Sequence, residues 1–75
     1  MTAFRAAVLL KKWHYNSLYK LEQRFIDDIV LYAGNGSENV SNADLMKDNE
    51  VTQKMINYIW RIARRFMITP KTMDV

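Results

Sequence analysis

The chain has 75 residues, 49% of them apolar and 12% aromatic, with a formal net charge of +3. It contains no Cys and a single His, His14, which rules out disulfides, thiolate metal sites and multi-histidine metal sites. A chain this short makes one domain at most, buries only about 60% of its unfolded surface and often borrows stability from a partner.

The charge is unevenly placed. Residues 1–20 carry four bases and no acid, residues 22–50 carry seven acids and two bases, and residues 54–71 carry five bases and no acid. Two readings stand side by side. Either the basic ends neutralise the acidic middle of one fold, or they lie together and meet a polyanion.

Taken in chain order, the first predicted element is a helix over about 2–33. Apolar positions Leu10, Leu18, Leu21, Phe25, Ile29 and Tyr32 recur every three or four residues, with His14 in the same register. Thr2 is placed to cap its start, and Arg24 and Asp28 form an i, i+4 pair. The apolar run Ala6–Leu10 is far shorter than the roughly 20 residues of a membrane span and lacks a cleavage site behind it. Lys11-Lys12-Trp13 as a membrane-surface anchor is the lesser alternative.

A polar loop follows over about 34–42, with Gly34 as a left-handed C-cap and Asn35-Gly36 unable to continue the helix. Ser41-Asn42-Ala43-Asp44 reads as a variant capping box. A second helix is predicted over about 43–67, with a break near Asp48-Asn49. Its apolar stripe is Val51, Met55, Ile59, Ile62 and Phe66. Acids near its start and arginines near its end both suit the helix macrodipole. Pro70 stops it and opens a tail over 68–75.

The expected fold is therefore all-α: an antiparallel hairpin of two long helices in a single domain. Trp13, Tyr15, Tyr19, Ile26 and Val30 fall off the first stripe, and Ile56, Tyr58 and Trp60 off the second. A helix apolar over more than half its circumference is covered on two sides. Completion by copies of itself or by a larger protein is the expectation, with Trp13, Tyr19, Tyr58 and Trp60 as interface residues.

No catalytic set emerges. Asp27 and Asp28 are adjacent and diverge on a helix, His14 has no partner at triad spacing, and Gly34-Asn35-Gly36 opens no phosphate-binding helix. The expectation is a non-enzyme with no cofactor, no metal and no small-molecule substrate. The candidate binding feature is the basic face of the second helix. Lys54, Asn57, Arg61, Arg64 and Arg65 lie opposite its apolar stripe, Trp60 borders them and Lys71 extends the face. Such a row neutralises phosphates. A solvated face paired with the acids of the first helix remains open beside it.

The ending Arg64-Arg65-Phe66-Met67-Ile68-Thr69-Pro70-Lys71-Thr72 resembles the closing signature of one helical family of tailed-phage terminase small subunits. There an apolar residue precedes Leu-Thr-Pro or Ile-Thr-Pro and a short polar end. Phe66, Ile68, Thr69, Pro70, Lys71 and Thr72 match, Met67 stands where the family usually has Gly, and Trp13, Tyr15 and Tyr19 stand for its early aromatics. The resemblance implies a non-enzymatic subunit in the host cytoplasm that oligomerises, binds double-stranded viral DNA and presents it to the large terminase. It also implies that Lys54, Arg61, Arg64, Arg65 and Lys71 face the DNA. The alternative is a small helical adaptor or inhibitor that binds a larger protein through its exposed aromatics.

Overall fold

The computed structural model describes residues 1–34, 40–48 and 50–71, with side chains for all of these except 32–34 and 48. Among them the chain is all-helical: α1 (Ala3–His14), a 3-10 turn (Tyr15–Ser17), α2 (Lys20–Gly34), α3 (Asn42–Asp48) and α4 (Gln53–Arg64). The centre of the expected loop, the break point at Asn49 and the last four residues of the tail lie outside the described residues.

The first long helix of the predicted hairpin is in fact two. α1 is built from strong helix formers, including Ala3, Ala6, Ala7, Leu9 and Leu10. Thr2 caps it as expected, its Oγ1 accepting from Arg5 N at 3.1 Å. Asn42, at the start of α3, adds a second cap by accepting from Ala3 N at 3.0 Å. The helix fails at Asn16-Ser17, residues whose side chains compete for backbone hydrogen bonds. Leu18 then turns extended and buries itself. α2 restarts with Glu22 reaching back to Tyr19 N at 2.9 Å, the acidic half of a capping box.

Polar contacts seal the break. Gln23 Nε2 donates to Tyr15 O at 2.9 Å, and Tyr15 Oη donates to Asp27 Oδ2 at 2.6 Å. Lys11 Nζ meets Asp27 Oδ1 at 3.0 Å, an ionic contact rather than an aligned hydrogen bond. The Tyr15 bond, then Lys11, holds the Asp27 carboxyl below the usual carboxylate range, with burial opposing. The same bond raises the Tyr15 phenol above its ordinary value, helped by burial and by the Asp27 charge.

The second predicted helix is divided near Asp48, as the sequence reading allowed. α3 and α4 begin alike. Ser41 Oγ accepts from Asp44 N at 3.1 Å, and Thr52 Oγ1 accepts from Met55 N at 3.2 Å. Each cap is preceded by a buried valine, Val40 or Val51, and followed four residues on by a buried Leu45 or Ile56. That pairing is a hydrophobic staple, used twice. Met55 Sδ lies 3.4 Å from Thr52 N, but a thioether is a weak acceptor, so Thr52 does the capping.

α1 is the element against which α2, α3 and α4 all pack. Phe4, Leu10, Ile26, Leu45, Ile56, Ile59 and Ile62 are fully buried, each contributing about 1.5–3 kcal/mol before entropy is counted. Breaking the first helix rotates its second half. Ile26 and Ile56, expected off the stripes, are core, whereas Leu21, expected in the core, is 75% exposed. No described helix is long and apolar enough to cross a membrane.

Candidate nucleic-acid interface on α4

α4 carries no acidic residue, and it turns Gln53, Lys54, Asn57, Arg61 and Arg64 outward. These positions step round the helix by three or four, opposite the buried Ile56, Ile59, Ile62 and Ala63. Two open depressions share this face. Lys54, Asn57, Tyr58 and Arg61 line one, and Asn57, Trp60, Arg61, Arg64, Ile68, Thr69 and Pro70 line the other. Among the described residues no ion pair engages Lys54, Arg61 or Arg64. Lys71 is exposed just beyond Pro70.

Arg65 stands apart. Its Nη2 meets Glu22 Oε1 at 2.6 Å, and its guanidinium lies 5.5 Å from the Tyr19 ring and 5.7 Å from the Phe66 ring. Glu22 is the buried acid of α2. Arg65 therefore closes α4 onto α2 instead of lining the depressions, as the solvated-face reading expected for the whole row. Phe66 stacks on His14 at 4.3 Å, which gives the single histidine a packing partner.

The far end of the face is shaped by the Ile-Thr-Pro turn. Ile68 N donates to Ala63 O at 3.0 Å and Met67 N to Arg64 O at 3.1 Å. These are the two bonds of a Schellman motif, with Met67 at φ 61° in the left-handed region and Ile68 buried against the core. Ile68 thereby anchors the turn that sets Thr69 and Pro70 beside Arg61 and Arg64.

At the near end, residues 50–52 lead into α4, with Glu50 at φ 57°. α3 and α4 are two short helices, and both pack on α1. Gln53 Nε2 donates to Asn57 Oδ1 at 3.0 Å on its outer face. The sequence reading placed a break near Asp48 but missed Gln53 and the Thr52 cap. The signal was the repeated pattern of valine, hydroxyl cap and apolar residue four positions on.

The four expected interface aromatics are not alike. Trp13 is 66% and Tyr19 73% exposed, Trp13 with Lys12 Nζ 5.5 Å from its ring. Tyr58 is half-buried and packs on Phe25 at 5.0 Å, and half-buried Trp60 lines the basic depression.

Compared by sequence and by structure with known proteins, the chain matches no protein-family model, no curated protein and no solved structure.

Proposed function

We propose that this chain is a non-enzymatic double-stranded-DNA-binding protein that docks through the outer face of α4, with DNA packaging by a terminase as its setting. One observation carries the reading: Lys54, Arg61 and Arg64 share an acid-free helix face and are unpaired among the described residues. Three cations on one helix face with no counter-charge among the described residues are suited to phosphates. Gln53 and Asn57 would then face base edges, where amide side chains read adenine. The packaging setting rests on the resemblance of the closing turn. The left-handed Met67 supports it, since that conformation is the one glycine adopts without strain, and the family usually has glycine there.

The test is fluorescence anisotropy with a labelled duplex over a series of salt concentrations. Log K should fall with log salt at a slope of about −0.9 per phosphate neutralised. Lys54→Ala, Arg61→Ala and Arg64→Ala should each reduce the slope by about one phosphate's worth. Binding that ignores salt, or is absent at low salt, refutes the proposal. The adaptor reading is then left, and the exposure of Trp13 and Tyr19 is what favours it.

A further inference from the structure

The outer face of α2 carries a pattern of charges that no ion pair among the described residues uses. Leu21, Arg24, Asp28 and Leu31 are all exposed, the two leucines at 75% and 71%. Their spacing is three, four, three, the seam of a two-helix coil. Arg24 and Asp28 are four apart, yet no ion pair joins them, and no other described residue pairs with either. A base N-terminal to an acid is the poorer order for an intrahelical pair.

Read from either end, the stripe is apolar, charged, charged, apolar, with opposite charges at mirror positions. In an antiparallel pair of α2 helices related by a two-fold axis that passes between them at the level of residue 26, whose own side chain stays in the core, residue positions that sum to 52 face each other. Leu21 then meets Leu31 of the second copy, and Arg24 meets Asp28 of the second copy. The two-fold makes each contact twice. In the parallel arrangement Arg24 would face Arg24 and Asp28 would face Asp28, so the charges select the antiparallel one.

We infer that this face of α2 is a homodimer interface, built from two Arg24–Asp28 pairs between the copies flanked by two Leu21–Leu31 contacts. The stripe covers about 15 Å of helix, short for an interface, so the dimer is reversible and weak. The inference is independent of DNA binding and uses none of the residues assigned to it.

Sedimentation equilibrium of the full chain without DNA tests it. The unaltered chain should show a reversible monomer–dimer equilibrium. R24D gives a stripe with two acids and D28R a stripe with two bases. Each alone should dimerise about tenfold or more weakly, because like charges face across the axis. An equimolar mixture of the two should associate again, and so should the double exchange R24D/D28R. All four positions are exposed, so helicity by circular dichroism should be unchanged. A monomeric unaltered chain, single variants that dimerise normally, or a mixture that stays monomeric overturns the inference. Any of these outcomes leaves the DNA-binding proposal untouched.

Discussion

Arg61, Arg64 and Arg65 lie within five residues of one another, and the structure gives them different surroundings. Replacing Arg65 by Ala removes a 2.6 Å charge-assisted bond to a Glu22 side chain that is only 9% exposed. Such bonds contribute about 1.5–3 kcal/mol. Glu22 keeps its bond from Tyr19 N, and Arg65 is itself 41% exposed. Both moderate the loss, which we place at about 2 kcal/mol. A chain of this length has a stability of about 4–11 kcal/mol, so the change is a large share of it. At about 4–8 °C per kcal/mol for a small domain, the melting temperature should fall by about 10 °C. Arg61→Ala and Arg64→Ala touch exposed side chains and should stay within about 0.5 kcal/mol of the parent. Urea unfolding followed by circular dichroism measures all three. A cycle of Arg65→Ala, Glu22→Gln and the double variant isolates the pair. The DNA assay should give the reverse order, with Arg61→Ala and Arg64→Ala impaired and Arg65→Ala near normal once folded. Equal stability losses at the three sites, or equal losses of DNA affinity, would refute the division of labour.

Other outcomes follow from the same structure. Met67→Gly should stabilise the chain by about 0.5–1 kcal/mol, because an 86%-exposed residue sits in the left-handed region; Met67→Val at the same site should destabilise it, and thermal melts compare the two. Thr52→Ala should cost about 1 kcal/mol by removing the α4 cap, read as a lower urea midpoint with an unchanged slope. The Tyr15–Asp27 bond should limit stability at both ends of the pH scale. Asp27, lowered in the folded state, contributes stability above about pH 3.9 that is lost as pH falls through its folded value. Tyr15, raised in the folded state, contributes stability below about pH 10 that is lost as pH rises through its folded value. Tyr15→Phe should therefore flatten the alkaline loss and move the acid midpoint upward.

The second helix, expected to run to about Met67 and stop at Pro70, ends at Arg64 through the left-handed Met67. The all-helical class and the Thr2 and Ser41 caps were legible because each is a local rule that the surrounding chain obeys. The division near Asp48 was legible for the same reason. The break at residues 15–19 was not, because the apolar period runs straight through it. Leu18 keeps its place in that period while its backbone leaves the helix. Only Asn16-Ser17 and the acid at Glu22 hinted at a stop and a restart. Once the axis bends there, the faces on either side lose their common register, and Leu21 and Ile26 exchange roles. The basic row on α4 was visible from spacing. The diversion of Arg65 was not, since its partner Glu22 stands 43 positions earlier.

The place of α1 at the centre of the fold bears on how the chain comes to fold. α1 is made first, yet its partners include α4, which ends at Arg64. On the ribosome the apolar side of α1 must wait while most of the chain is synthesised. α2 is its earliest available cover, and the Tyr15–Asp27 and Lys11–Asp27 contacts tie that pair together. An α1–α2 unit formed early would shield part of the stripe during the delay, leaving the side of α1 that meets α4 to be closed last.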